Sequence, residues 1–314
     1  MIKNYFFTLT RVSIAIIILL TSFLSHAQKA KIFTTADFDL TGNVKYCLVS
    51  TDYGKEEFNF NKDGFLTKLK TIYTNDSDYD ITYYKYSNDE ILEKRVENYR
   101  DGVFDKNTSI ANIYTIDTTD TQKKVTEKII SYAKEFLEQY EYTYDEDSKL
   151  INIVRNNEEG IENTIVAYAD VKGEATTTYT INEELQKTIR VSEHKTKTYT
   201  IQRIELTKDY LEGKPHKAVE QIFNENNKIV SENTFSYDTI SKSFISQELK
   251  TFAYNNLGMV SEIKTKTGKS MVVKSFIYQY DNGDKGNWIK QIITPDNTYI
   301  TRKIKYYETP VIEE

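Results

Sequence analysis

The 314-residue chain is poor in cysteine and histidine. A single cysteine, Cys47, excludes an internal disulfide framework, and we expect a buried, unreactive thiol because no partner for a nucleophile lies nearby in sequence. Beyond the first 27 residues the histidines are His194 and His216, without HExxH or CxxC spacing. This pattern predicts no metal site and no cofactor. Acidic residues outnumber basic ones by 47 to 41, which argues against nucleic acid as a partner.

Long apolar runs are also missing, except near the N-terminus. Lys3 and Arg11 flank the start, residues 12–23 are apolar, and Ala27 ends a small-residue site. This layout predicts a signal peptide over residues 1–27, since a membrane anchor needs about 20 apolar residues. Residues 28–314 would then form one exported domain, periplasmic or secreted. Its net charge would be −8, and we expect no stable membrane insertion.

Aromatic residues are abundant, with 25 tyrosines and 15 phenylalanines. Such residues suit the half-buried, pleated surface of a β-sheet. A short string recurs in which two aromatics at alternate positions are followed by Asp or Asn, a few turn residues and an aliphatic residue. Clear copies are Phe58-Asn-Phe60-Asn61, Tyr142-Thr-Tyr144-Asp145, Phe252-Ala-Tyr254-Asn255 and Tyr278-Gln-Tyr280-Asp281.

The repeat predicts long hairpins. Aromatics two residues apart share one face of a strand, and Asp, Asn and Gly favour the turn that follows. We therefore predict an all-β, elongated antiparallel meander, either an open curved sheet or a partly closed, barrel-like shell. Residues 125–144 fit both a helical stripe and a hairpin, and the repeat phase favours the hairpin. Residues 191–217 are the least regular and are predicted to hold an insertion or a longer loop.

The repeated strings resemble the YD repeats of Rhs-type exported bacterial proteins. The resemblance covers most of residues 58–307, and Tyr280-Asp281 followed by Gly286-Asn287-Trp288 is especially similar. The segment Leu40–Lys45 is similar to the usual first strand of such proteins. The resemblance implies β-repeat architecture and export. It implies no toxin activity, because the self-cleaving protease motif is absent.

The aromatic rows are the candidate binding surface. If exposed, they could stack on a glycan or on an envelope protein, whereas packing as core is the alternative. This favours a non-enzymatic, secreted or envelope binding module. The candidate binding residues are Tyr140, Tyr142, Tyr144, Phe276, Tyr278, Tyr280 and Trp288.

Other functions stay open from the sequence. Long edge strands could pair with another chain in a structural or assembly role. A glycoside hydrolase could draw two carboxylates from distant strands, and a closed barrel with an apolar lumen could enclose a lipid. The turn at Gly268-Lys269-Ser270 lacks the earlier glycine of a phosphate loop, and Asp76-Ser-Asp78-Tyr-Asp80 lacks the glycine of a calcium loop. We therefore expect no enzyme.

Overall fold

The structure is a computed structural model that describes residues 31–197, 200–284 and 286–308. The predicted signal peptide, residues 1–27, lies outside the described residues. A short 3-10 helix, Thr35–Phe38, precedes the first strand, and within the described ranges no helix is long and apolar enough to cross a membrane. The strands are β1 Val44–Thr51, β2 Gly54–Phe60, β3 Leu66–Tyr73, β4 Tyr79–Ser87, β5 Glu90–Arg100, β6 Val103–Thr118, β7 Lys123–Ser131, β8 Phe136–Tyr144, β9 Leu150–Asn157, β10 Gly160–Val171, β11 Glu174–Ile181, β12 Glu184–Lys195, β13 Ile201–Leu211, β14 Lys214–Phe223, β15 Ile229–Asp238, β16 Ser243–Tyr254, β17 Val260–Thr267, β18 Ser270–Asp284, β19 Trp288–Thr294 and β20 Thr298–Tyr306.

The twenty described strands close into a barrel. Each strand pairs antiparallel with the next, and β1 pairs with both β2 and β20. Cys47 lies opposite Phe58 on one side and opposite Ile304 on the other. The all-β antiparallel meander is confirmed. The predicted open sheet or partly closed shell is corrected to a closed barrel, because the first and last strands satisfy each other's backbone groups.

The recurring string forms the turns at one end of this barrel, here called the repeat end. Asn255 shows the design: its Oδ1 accepts hydrogen bonds from the backbone N–H groups of Leu257 at 3.0 Å and Met259 at 2.9 Å. Gly258, with φ +75°, turns the chain back into β17. The side-chain oxygens of Asn61, Asp145 and Asn224 accept the same bond from the residue four positions on.

The two ambiguous regions are regular strands. Residues 125–144 form the hairpin of β7 and β8, as the repeat phase predicts. The prediction of irregular structure for residues 191–217 is wrong, because most of this region belongs to β12, β13 and β14. Within β13, Glu205 and Thr207 share one face, and Ile204 and Leu206 share the other, so the region does alternate between polar and apolar residues.

Most of the buried apolar residues lie on the inner face of the barrel. Two apolar clusters lie on it. One comprises Leu40, Val44, Cys47, Phe58, Phe60 and Leu66, and the other Ile91, Tyr114, Val125, Tyr144, Leu150 and Val166. On the other face Lys264 and Lys303 are exposed, whereas Ile81, which lies opposite the outward Lys70, is buried. A strand places alternate residues on opposite faces, so the clusters define the inward positions of β1 to β3 and β5 to β10. The strand register extends this assignment to the other strands.

A candidate functional site on the inner wall

A row of polar side chains crosses the inner wall between β13 and β16. Glu205, Gln221, Glu232 and Lys250 lie directly opposite one another in the strand register. Tyr179 of β11 packs against the second apolar cluster and therefore points inward. The strand register places the β12 residue that pairs with Glu205 on the same face as Tyr179, so these four side chains point inward as well. We call these four residues the polar row.

The members of the polar row are paired with each other or with neighbours. Gln221 Nε2 donates to Glu232 Oε2 at 2.8 Å, and Lys250 Nζ lies 3.7 Å from Glu232 Oε1. Arg203 Nη1 donates to Glu205 Oε2 at 2.8 Å. Glu205 is 4 % exposed and Glu232 9 % exposed. Buried carboxylates are costly unless hydrogen-bonded or paired, and these partners meet that requirement.

The row leads from a buried wall to an open part of the interior. Lys250 lies opposite Thr265, and Thr265 lies opposite Val272. Val272 is an inward position and yet is 49 % exposed. Solvent therefore reaches the inner wall of β17 and β18 near the end opposite the repeat end. This side of the lumen differs from the aromatic wall of β1 to β11.

The first predicted aromatic row lies on that aromatic wall. Tyr144 is buried in the second cluster, and Tyr142 packs against the same cluster. Tyr142 OH donates to Glu127 Oε2 at 3.1 Å, and the half-buried ring of Tyr140 stacks on Tyr142 with centroids 6.0 Å apart. The hydroxyl of Tyr114 also donates to Glu127, at 2.7 Å.

The second predicted row lies on β18, with Phe276 and Tyr280 half-buried. Tyr278 OH donates to the carbonyl of Val260 at 2.8 Å. Trp288 is 6 % exposed, and the guanidinium carbon of Arg302 lies 3.5 Å from its ring centroid. The structure thus places all seven candidate residues on the inward face, in two separate groups. Their part in binding a ligand stays a prediction.

The polar row was missed from the sequence. A usable signal exists, because charged or amide side chains recur at alternate positions of consecutive strands in residues 203–250. Alternation alone leaves open which face points inward, so the row reads as a solvated surface. Within the described residues, no group of three or more His, Cys, Asp or Glu side chains could hold a metal ion.

The acidic turn between β3 and β4 has a structural role. The Oδ1 of Asp78 accepts a 2.7 Å hydrogen bond from the backbone N–H of Asp101. This bond, with help from Asn75, lowers the pKa of Asp78. The turn therefore ties the β3–β4 and β5–β6 connections together.

The outward face carries many charges. Lys70 on β3, Lys264 on β17 and Lys303 on β20 all alternate with inward residues and point away from the lumen. Lys124 Nζ pairs with Glu141 Oε1 at 2.9 Å on the same face. The outer surface of the barrel therefore carries charged residues on several strands, beside exposed apolar residues such as Val273 and Ile277.

No protein-family model and no curated protein matches the sequence. Among solved structures, the chain is similar to a porin-like protein from Bacteroides uniformis, with a TM-score of 0.31, 10 % identity, and coverage of 85 % of this chain and 99 % of that one. A porin-like protein from Bacteroides vulgatus gives a TM-score of 0.25, 11 % identity and the same coverage. A TcdB2-TccC3-Cdc42 complex gives 0.15 and 10 %, covering 82 % of this chain and 18 % of that one. Likenesses this distant carry no argument about function.

The resemblance to YD-repeat proteins is wrong as a description of this chain. The described strands form one closed, 20-stranded barrel in which β1 pairs with β20. The physical reason is that the string around Tyr254 and Asn255 specifies only a turn and the strand ends beside it. Such a local unit suits many antiparallel proteins.

The predicted function is wrong too. We expected a binding module with aromatic rows exposed on its surface, but these rows lie on the inward face of the barrel. This removes the surface on which a glycan or an envelope protein was expected to bind. Edge-strand pairing is wrong because β1 and β20 pair with each other. The glycoside hydrolase required two carboxylates converging in a cleft, whereas the buried carboxylates of the polar row, Glu205 and Glu232, are each paired with a cation or an amide.

The expectation of no stable membrane insertion is also wrong, because it rested on the lack of a second long apolar stretch. Such stretches detect helical spans. A closed barrel satisfies its backbone hydrogen bonds between strands and is the other architecture able to span a bilayer. The pairing of β1 with β20 gives this chain that architecture.

Proposed function

We propose that this protein is an exported, non-enzymatic barrel of the cell envelope that acts as a channel for small polar solutes. The polar row of Glu205, Gln221, Glu232 and Lys250 on the inner wall is the observation that carries the proposal. Polar and charged lumen side chains are characteristic of channel-forming barrels. Barrels of about 16–18 strands already leave an aqueous channel, and this barrel has more strands.

The outward lysines make insertion a demanding requirement. A lysine facing lipid costs about 2–4 kcal/mol at the bilayer midplane and about 0–1 kcal/mol near the interfaces. Lys70, Lys264 and Lys303 would all meet lipid or lipid headgroups in an inserted barrel. A direct measurement of insertion and conductance therefore tests the proposal severely.

In the experiment, residues 28–314 are reconstituted into planar bilayers, and single-channel currents are recorded in potassium chloride. Stepwise currents that require the folded protein are expected. Absence of currents, with the protein remaining outside vesicles in a flotation assay, would reject the channel.

A matched pair of variants tests the route of the ions. Lys250 lies inside on β16, and Lys264 lies outside on the adjacent strand β17. Lys250→Glu is expected to shift the reversal potential in a salt gradient toward cation selectivity, because it reverses a charge on the lumen wall. Lys264→Glu reverses an outward charge and is expected to leave the reversal potential unchanged. Equal shifts in both variants would contradict conduction through the lumen.

A further inference from the structure

We propose that residues 31–43, here called the N-terminal segment, form a plug inside the repeat end of the barrel, held shut by Arg302 and Asn287. This inference rests on the proposed function, because a plug regulates only a barrel with a usable lumen. The closing experiment reads plug movement and conductance separately.

The first support is apolar packing against the inner wall. The ring of Phe38 lies 4.6 Å from that of Phe58 and 5.8 Å from that of Phe60, measured between centroids. Phe33 meets Tyr84 of β4 edge-on at 5.8 Å. Phe58, Phe60 and Tyr84 point inward, so the N-terminal segment lies within the circumference of the barrel rather than around it.

The second support is a latch, meaning a side chain that holds the segment by hydrogen bonds. It lies on the other side of the seam, which is the pairing between β1 and β20. Arg302 of β20 donates from Nη2 to the carbonyl of Phe38 at 3.0 Å and from Nη1 to that of Asp39 at 3.4 Å. The same guanidinium stacks on Trp288, which fixes its position. One inward side chain therefore holds two carbonyls of the segment.

Asn287 forms a second latch beside the first. Its Oδ1 accepts from the backbone N–H of Thr41 at 2.8 Å, and its Nδ2 donates to the Thr41 carbonyl at 2.9 Å. Nδ2 also donates to Tyr306 OH at 2.8 Å. The two residues thus tie the segment to β20 and to the start of β19, remote from its contact with β4.

The contacts of the segment lie on both sides of the pairing between β1 and β20. On one side the segment meets β2 and β4, and on the other side it meets β20 and the start of β19. The segment therefore lies over the wall formed by β19, β20 and β1 to β4 at the repeat end.

Release of the plug is favoured by the nature of its attachment. The segment forms none of the twenty strands of the barrel, and it pairs with the wall as a strand would only through an isolated β-bridge between Thr34 and Phe65. Gly42, with φ +78°, precedes β1 and offers a pivot. The wall can therefore remain closed while the segment leaves it.

Cys47 provides a natural probe, since it is the sole cysteine of the chain. It is 1 % exposed and belongs to the same cluster as Leu40 of the segment. Movement of the plug uncovers this thiol, so its rate of reaction with a maleimide reports opening. The test compares wild type with Arg302→Ala and Asn287→Ala, with Arg190→Ala on the outer face as the control.

Faster labelling by about tenfold or more is expected in the two latch variants, because hydrogen bonds that hold the closed state are lost. The unfolding midpoint is expected to fall only modestly, because the strand pairing of the wall is kept, and the control is expected to label at the wild-type rate. If Arg302→Ala fails to fold, Arg302→Lys keeps the charge but replaces the two donor nitrogens of the guanidinium with one. Unchanged labelling in the folded latch variants would overturn the plug.

Conductance of the same variants separates this proposal from the previous one. Larger or longer openings in the latch variants, together with faster labelling, support both proposals. Faster labelling with no current in any variant supports the plug and rejects the channel. Wild-type currents that the latch variants leave unchanged, with unchanged labelling, support the channel and reject the plug.

Discussion

The hydroxyl of Tyr254 donates a 2.6 Å hydrogen bond to the carbonyl of Ile229, the first residue of β15. The arrangement recurs at the repeat end, where a tyrosine of the next strand reaches the first carbonyl after a turn. The other pairs of this kind are Tyr86 with Leu66, Tyr168 with Leu150, and Tyr278 with Val260. The tyrosines of the repeat thus cap carbonyls beside the bulges that follow the turns.

Removal of this hydroxyl is expected to destabilise the barrel. Tyr254→Phe keeps the ring and leaves the Ile229 carbonyl without its donor, which costs about 1–2 kcal/mol. The measurement is the free energy of unfolding in denaturant. Tyr299→Phe is the control, since Tyr299 is 51 % exposed on the outer face, and its change is expected to stay within about 0.5 kcal/mol. Equal changes in the free energy of unfolding for the two variants would show that the hydrogen bond from Tyr254 to Ile229 does not stabilise the barrel.

The turn that precedes β17 depends on an acceptor at position 255. Asn255→Ala removes the oxygen that binds two backbone N–H groups, and a loss of about 1–2 kcal/mol is expected by analogy with capping side chains. Asn255→Asp retains the oxygen and is expected to lose less, because Asp145 fills the same role in the β8–β9 turn. Chemical denaturation of the three proteins measures this order, and an Asp variant as unstable as the Ala variant would contradict it.

Local chemistry explains which parts of the fold were predictable. The turn at Asn255 and the hairpin of β7 and β8 follow from residues close together in sequence. Closure does not, because it depends on the pairing of Cys47 with Ile304 at opposite ends of the chain. The alternation of polar and apolar residues in β1 and β20 is the same whether these strands pair with each other or remain two separate edges of an open sheet.

The candidate site was less predictable for a related reason. Because side chains alternate between the two faces of a strand, the sequence shows which residues share a face with Tyr142 or with Glu232. It does not show which of the two faces points into the barrel. Only the closed barrel makes both side chains inward. The packing of Phe38 on Phe58 was missed because the N-terminal segment precedes the repeat and lacks its pattern.

Opposite pH effects are expected at two neighbouring aspartates. Burial raises the pKa of Asp39, while Arg302 and Lys228 oppose the rise. The folded state thus holds this proton more tightly than the unfolded state, so stability falls as pH rises through the two pKa values. Asp39→Asn is expected to gain stability over wild type at neutral pH and to match it near pH 3.

Asp37 supplies the matched comparison. Burial is the largest single influence and raises its pKa, but the hydrogen bonds from Lys31 and Thr34 with the charge of Lys31 together leave the pKa lowered. Its contribution is present above the unfolded pKa and is lost as pH falls. Asp37→Asn is expected to lose stability relative to wild type at neutral pH and to match it at low pH. Both differences come from unfolding curves recorded between pH 3 and 7, and effects of the same sign would refute the assignment.

Barrel closure itself can be tested with one substitution. Cys47 and Ile304 are directly opposed across the seam between β1 and β20. Opposed residues of antiparallel strands have Cα atoms about 4.5–5.5 Å apart, within the range of about 4.4–6.8 Å that disulfides span. Ile304→Cys is therefore expected to form an intramolecular disulfide with Cys47 on mild oxidation.

The product is visible as a faster-migrating monomer on a non-reducing gel, and reduction returns it to the normal position. Ile300→Cys is the control, since Ile300 shares the strand and the inward face but lies opposite Gln291 instead of β1. It is expected to stay reduced or to form disulfides between molecules. An open sheet would hold β1 and β20 at separate edges, so Ile304→Cys would then behave like the control. Formation of the disulfide by Ile304→Cys alone places the seam at the observed register, because a shift of one residue would turn one of the two thiols to the outer face.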